Sequence, residues 1–119
     1  INLSVIPSAV FTSPEVAMVG KTEKQALESG HDITVGKAMF RSNGKAQAMG
    51  ETDGLVKVIV DRDNDLLLGA FIVGPHAADL IEELSLAMSS RLPVREILSS
   101  VHAHPTLSET ITAALAAAR

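Results

Sequence analysis

Residues 55–73 read LVKVIVDRDNDLLLGAFIV and decide the fold of this chain. Two apolar runs rich in β-branched residues, 55–60 and 66–73, flank five residues of turn-forming composition at 61–65. Apolar runs of this length that are bounded by Asp, Asn and Gly are typical of strands, and a short polar turn joins antiparallel neighbours. The stretch therefore predicts a β-hairpin.

Weaker extended segments precede the hairpin. Residues 33–40 alternate as a strand does, and residues 16–19 form a second short strand that ends at Gly20. Residues 3–11 are apolar and β-branched, and Pro7 marks them as an edge or interrupted strand, because proline lacks the N–H that a central strand donates. All predicted strands thus lie in the earlier part of the chain.

Helical patterns occur between these strands and after them. Thr22 and Gln25 have the spacing of a capping box, and Gly30 lies where that helix would end. Residues 41–50 are polar and punctuated by glycine, so they are expected to be irregular, with at most a turn of helix. Three helices are expected after the hairpin, over residues 77–88, 93–98 and 106–118. Strands grouped first and helices grouped last predict an α+β fold in which helices pack on an antiparallel sheet.

The composition fits one folded domain over residues 1–119 and excludes several kinds of site. The 119 residues are 46% hydrophobic, and the only aromatic residues are three phenylalanines, so the core must be aliphatic. The net charge of -4, without a cluster of lysines or arginines, excludes a nucleic-acid-binding surface. Because cysteine is absent, the chain itself can form neither a disulfide nor a thiolate metal site.

No segment predicts a membrane protein or an exported one. The chain has no apolar run near 18 residues, and it begins at Ile1 without a basic and apolar leader. We therefore expect a cytoplasmic protein. The missing initiator methionine also leads us to expect that this chain is a piece of a longer one.

One segment, residues 102–109, concentrates chemically unusual residues and reads HAHPTLSE. His104 precedes a proline, which favours an extended histidine backbone. Glu109 follows in the first turn of the predicted helix, where its carboxylate could accept the Nδ1 proton of His104 and leave Nε2 free as an acid or base. The competing interpretation is that Thr106 and Glu109 form a capping box, in which the carboxylate only caps its own helix.

Two further interpretations concern metal ions and surface charge. His102 and His104 form a His-x-His pair that could begin a metal site, but no cysteine or nearby third histidine completes it, so no metal is expected. The adjacent carboxylates Glu82 and Glu83 are interpreted as the solvent-facing edge of an amphipathic helix.

Several segments together resemble a known family. Residues 104–109, HPTLSE, resemble the closing signature of the pyridine nucleotide-disulfide oxidoreductases, and residues 11–23, FTSPEVAMVGKTE, are similar to the entry into that family's C-terminal domain. Residues 51–57 and 74–81 also match in the same order, so the resemblance covers nearly the whole chain. Within the family, the chain is most similar to the dihydrolipoamide dehydrogenases.

The resemblance implies a dimerisation, or interface, domain, with an FAD domain, an NAD domain and a redox-active cysteine pair elsewhere in the protein. It implies a homodimeric flavoprotein that oxidises dihydrolipoamide, borne as lipoyl groups by a 2-oxo acid dehydrogenase complex, and passes the hydride to NAD. His104 and Glu109 would be its acid/base dyad and would reach the disulfide and FAD of the partner subunit. By itself this chain is expected to bind no cofactor and to be inactive.

Two alternatives remain open. A disulfide reductase of the glutathione reductase type has a similar closing motif with His-Pro-Thr and Glu, although Leu107, Ser108 and the run 52–54 favour the lipoamide enzymes. A free-standing dimerisation module would need no catalytic residue, and Glu109 would then act only as a helix cap.

Overall fold

A five-stranded antiparallel sheet organises the chain in the computed structural model, which describes all residues from 1 to 119. The strands are β1 (Ser8–Val10), β2 (Glu15–Gly20), β3 (Ile33–Met39), β4 (Leu55–Asp61) and β5 (Leu66–Gly74), in the spatial order β1-β2-β5-β4-β3. The predicted hairpin is β4 with β5, and it lies inside the sheet because β3 and β2 pair with its two outer sides.

Helices pack against this sheet, and the α+β fold predicted from the sequence is confirmed. The helices of the chain are α1 (Glu23–Glu28), α2 (Gly44–Met49), α3 (Ala77–Ser89), α4 (Val94–Ser99) and α5 (Glu109–Ala117), with short 3₁₀ turns at Leu3–Val5 and Phe40–Ser42. The α3 helix lies on β2 and β5, whereas α5 lies on β3 and β4. Each strand of the hairpin therefore lies under one of the two main helices.

The core lies between the sheet and these two helices, and it is aliphatic apart from Phe40, which is fully buried. The close approach of α5 to β3 depends on Gly36, because a Cβ there would lie 2.0 Å from the Ala114 carbonyl oxygen. The largest fully buried aliphatic side chains are Val56, Val58, Ile72, Ile81, Leu84, Val94, Ile111 and Leu115. Burial of this face fixes the position of α5, and with it the position of Glu109 at its first turn.

The opening segment differs from its prediction as a strand over residues 3–11. Only Ser8–Val10 is a strand, and Leu3–Val5 form a 3₁₀ turn. The turn forms because the Asn2 carboxamide oxygen accepts the Ser4 N–H at 3.0 Å. As predicted from Pro7, the strand that does form lies at the edge of the sheet.

Residues 41–50, expected to be irregular with at most a turn of helix, contain a helix of six residues, because Gly44–Met49 form α2. Asn43 caps this helix by accepting the Ala46 N–H at 2.9 Å. Gly50 ends it in the left-handed conformation, with φ of 70°. Both signals are present in the sequence, but six residues are too few for a helical periodicity to stand out.

The apolar sides of α3 and α5 are used mainly by the core of this chain. Ile81 and Leu84 of α3, like Ala114 and Leu115 of α5, are buried. Large apolar side chains that remain exposed include Phe11, Leu86, Leu92 and Val101. No helix in the structure combines the length and the apolar character that crossing a bilayer requires.

Candidate active site

The segment between α4 and α5 carries the residues that the sequence singles out. Residues 101–103 lie outside any helix or strand, and the His104–Pro105 peptide bond is cis. The Thr106 hydroxyl donates to the Ala103 carbonyl at 2.7 Å and lies 2.9 Å from the Ser108 hydroxyl. These contacts fold the segment into a compact loop immediately before α5.

The structure brings His104 and Glu109 together. His104 Nδ1 lies 3.0 Å from each oxygen of the Glu109 carboxylate. One of those oxygens also accepts the Thr106 N–H at 2.9 Å. The same carboxylate therefore contacts the imidazole and the backbone at once, which combines the two interpretations that the sequence left open.

The capping box itself is only half formed, and α5 begins at Glu109 rather than near Thr106. Glu109 accepts the Thr106 N–H, but the Thr106 hydroxyl donates to Ala103 and does not accept the Glu109 N–H. The contacts of the Thr106 hydroxyl lie within the loop, and no side chain caps the first turn of α5. Glu109 thus accepts a hydrogen bond from the loop backbone and is also the first residue of the helix.

The Glu109 carboxyl is held in its ionised form. The Thr106 N–H, and after it the His104 ring, lower the pKa of Glu109 below its ordinary value of 4.5. Because an ionised carboxylate can only accept hydrogen bonds, the proton of a neutral His104 ring belongs on Nδ1. Nε2 then carries the lone pair, and it makes no hydrogen bond within this chain.

The His104 ring is open to a partner from outside the chain. Its side chain is 77% exposed, whereas the Glu109 side chain is 32% exposed. A groove of about 210 Å³ runs beside the pair and is lined by Ala38, Met39, Asn43 and Ala113 among others. The arrangement can accept a proton at Nε2 and stabilise the resulting imidazolium by the carboxylate at Nδ1.

His102 has a different role from His104. Its Nε2 lies 2.6 Å from Glu83 Oε1 on α3, its Nδ1 lies 3.2 Å from the Ser100 carbonyl, and its side chain is only 11% exposed. Both ring nitrogens are therefore occupied, and no group of three or more potential metal ligands converges in the structure. The interpretation of Glu83 as a purely solvent-facing carboxylate was wrong, because it anchors the loop that carries His104.

Asn43 is a second anchor that the sequence reasoning missed. Its side-chain N–H donates to the Thr106 carbonyl at 2.9 Å, although the two residues are 63 positions apart. The sequence offers one signal, an asparagine at a helix N-cap position, but not the contact with residue 106. Only the tertiary fold brings the two residues together.

The residues present do not fit a dinucleotide such as FAD or NAD. The chain has no glycine-rich turn between a strand and a following helix, and its sheet is antiparallel throughout. A hollow of about 490 Å³ is lined by Glu15, Glu51 and Asp53 among others. Three carboxylates would repel the pyrophosphate of a dinucleotide.

Comparisons with known proteins agree with the resemblance in the sequence. The family model described as pyridine nucleotide-disulphide oxidoreductase, dimerisation domain, matches residues 6–115. Dihydrolipoyl dehydrogenase 2 of Haloarcula marismortui is 46% identical over 114 residues, which cover 96% of this chain and 24% of that protein. A dihydrolipoyl dehydrogenase of Bacillus subtilis is 45% identical over 115 residues, with the same shares covered.

Solved structures share the fold over nearly the whole chain. The flavoprotein disulfide reductase RclA from Escherichia coli has a TM-score of 0.92 and 31% identity, and the match covers 96% of this chain and 26% of that one. LpdA from Mycobacterium tuberculosis has a TM-score of 0.91 and 28% identity, covering 98% and 25% of the two chains. The chain spans about a quarter of the length of the curated relatives that it matches. It belongs to the pyridine nucleotide-disulphide oxidoreductase family, of which it is a dimerisation domain.

Proposed function

We propose that this chain is the dimerisation domain of a homodimeric, cytoplasmic dihydrolipoyl dehydrogenase and supplies His104 and Glu109 as an acid/base pair to the partner subunit. The single observation that carries the proposal is the exposed His104 ring, with Nδ1 bound to an ionised carboxylate and Nε2 free. The names of the relatives, at 45–46% identity, supply the substrate class.

A thiol substrate suits this pair. A dithiol attacks a disulfide only as a thiolate, and a lipoyl thiol is mostly protonated at neutral pH. His104 Nε2 would accept that proton while Glu109 stabilises the imidazolium. The thiolate would then attack one sulfur of the redox disulfide, form a new S–S bond and release the other cysteine as a thiolate; attack by the second lipoyl thiol would complete the exchange.

The disulfide in this scheme must come from outside the chain, because the chain has no cysteine. FAD and NAD, which accept the electrons in the proposed enzyme, would likewise be held by other domains, since the residues here do not fit a dinucleotide. The exposed His104 imidazole is consistent with an acid/base pair that acts on a group held by another domain of the dimer. Lipoyl groups of a 2-oxo acid dehydrogenase complex would be the physiological substrate.

Two other functions use the same residues differently. A reductase of the glutathione reductase type would use the pair in the opposite direction, protonating a leaving thiolate. A non-catalytic dimerisation module would need Glu109 only for its hydrogen bond to Thr106. The first alternative predicts reduction of a small disulfide by a nicotinamide, and the second predicts no redox activity at all.

A hybrid dimer tests the exchange between subunits. The complete reading frame containing residues 1–119 is expressed as two differently tagged copies, one with His104→Gln and one with its redox cysteines changed to serine. Each homodimer should be inactive with dihydrolipoamide and NAD. The purified hybrid should recover about half of the wild-type turnover per dimer, because one site combines an intact disulfide with an intact His104.

The outcomes separate the proposals clearly. A hybrid as inactive as both parents contradicts donation of His104 across the dimer. Full activity of the His104→Gln homodimer contradicts the acid/base role itself. A reading frame that encodes no flavin-binding domain and shows no turnover supports the module instead.

A further inference from the structure

Asn43 is buried beside the His104 loop and connects two parts of the fold. The residue is 8% exposed. Its Oδ1 accepts the Ala46 N–H at 2.9 Å and so caps α2, while its Nδ2 donates to the Thr106 carbonyl at 2.9 Å. Because one end of the amide faces a donor and the other faces an acceptor, both ends are satisfied and the orientation of the amide is fixed.

Asn43 is connected to the His104–Glu109 pair through a single residue, Thr106. The Thr106 carbonyl receives no other hydrogen bond within this chain. The N–H of the same residue donates to the Glu109 carboxylate, which lies 3.0 Å from His104 Nδ1. Thr106 is therefore held on its carbonyl side by Asn43 and on its N–H side by the carboxylate that orients the ring.

We propose that Asn43 is a positioning residue for His104 and Glu109, an inference that rests on the proposed function. Helix capping alone is served by Ser, Thr or Asp as well as by Asn. Asparagine is the residue of this length that offers an acceptor to α2 and a donor to Thr106 together. Without the donor, the Thr106 carbonyl is left unpaired beside the groove and the loop is free to shift, which moves Nε2 relative to an incoming thiol.

The decisive variant is Asn43→Asp, made in the complete reading frame and assayed with dihydrolipoamide and NAD. Aspartate keeps the capping oxygen but turns the second side-chain atom into an oxygen that faces the Thr106 carbonyl. We expect kcat to fall by about tenfold to a hundredfold, the cost of a misplacement near 1 Å, while KM changes by less than about threefold. The ¹⁵N shifts of the His104 ring should also show less proton on Nδ1.

Two further variants separate positioning from folding. Asn43→Ser keeps a capping hydroxyl and deletes the donor without adding a buried charge, so it carries the test if the aspartate variant does not fold. We expect its kcat to fall by about tenfold or more. Thr22→Asp places an aspartate at the N-cap of α1, where residue 22 bonds only with Gln25 and not with the loop, and should leave kcat unchanged.

A pure capping role predicts the opposite result, because aspartate at a helix N-terminus is at least as good a cap as asparagine. Wild-type kcat in Asn43→Asp, or in Asn43→Ser, overturns the inference. His104→Gln is measured in parallel. If His104→Gln is inactive and both Asn43 variants are fully active, only the inference on Asn43 fails, whereas full activity of His104→Gln removes the proposed function and this inference with it.

Discussion

The Nε2 atom of His102 lies 2.6 Å from Oε1 of Glu83, which ties the loop carrying His104 to the α3 helix. The other nitrogen of the same ring lies 3.2 Å from the Ser100 carbonyl. The first histidine of the HAH sequence thus fixes the loop to the domain, and the second remains exposed. The two histidines, separated by one residue, therefore differ in exposure, with 11% of the His102 side chain and 77% of the His104 side chain exposed.

Removing the Glu83 carboxylate should destabilise the domain. In Glu83→Ala, the largely buried His102 ring loses its partner, and a buried unsatisfied group costs about 1–3 kcal/mol. Glu83→Gln keeps an acceptor for Nε2 and should cost less. Thermal melting of the three proteins checks the order, with Glu82→Ala, an exposed neighbour on the same helix, as the control that should melt like the wild type.

Replacing His104 by glutamine in the complete protein should lower lipoamide-dependent turnover by about two to four orders of magnitude. Glutamine keeps a polar end of similar size but cannot take up a proton. The melting temperature should hardly change, because the His104 side chain is largely exposed. Turnover and melting are measured on the same preparation, and wild-type turnover would refute the acid/base assignment.

Glu109→Gln should cost less turnover than the change at His104. The glutamine oxygen can still accept the Thr106 N–H, and the ring retains a hydrogen-bonding neighbour. What is lost is the negative charge that stabilises the imidazolium and selects the Nδ1–H tautomer. If Glu109→Gln shows wild-type turnover, Glu109 has no part in catalysis and serves only as a helix cap.

The 119-residue chain alone should be colourless, inactive and self-associating. It has no dinucleotide site and no cysteine, so it can hold no flavin and transfer no hydride. Exposed side chains such as Leu86 and Val101 provide apolar area that a partner copy can cover. Absorption spectra test the first property and sedimentation the second; a bound-flavin band, or a pure monomer at millimolar concentration, contradicts the respective expectation.

The fold was predictable because its strongest signals are local. The β4–β5 hairpin is a pair of apolar runs around a turn, and α1 has a complete capping box that the structure reproduces. The opening residues were mispredicted, and α2 was expected only as a turn of helix, because one side chain decides each of them. Asn2 turns the chain into a 3₁₀ helix, and Asn43 begins a helix too short to show a period.

The site was only partly predictable, for a physical reason. His104 and Glu109 are five positions apart on one loop and helix turn, so their spacing predicts the contact that the structure contains. Glu83 and Asn43 contact the same loop from 19 and 63 positions away, respectively. Such contacts depend on where the tertiary fold places α3 and the start of α2, and no local pattern encodes that.

The hydrogen bonds of Glu109 should make the stability of the domain depend on pH in the acid range. The Thr106 N–H and the His104 ring lower the pKa of the folded-state carboxyl below 4.5. Near that pH the unfolded chain binds more protons at this position than the folded one. The contribution of Glu109 to the free energy of unfolding is therefore complete above the ordinary pKa, and it is lost as the pH falls through the lower, folded-state pKa.

The melting temperature of the wild type should therefore fall more steeply between about pH 5 and pH 3 than that of Glu109→Gln, which cannot titrate. The two curves should converge at the acid end. Glu82→Gln removes a carboxyl from an exposed position without a hydrogen-bond partner and provides the reference for loss of charge alone. If the Glu109→Gln and wild-type curves run parallel over this range, the carboxylate contributes nothing to the folded loop, and its contacts with Thr106 and His104 are not maintained in solution.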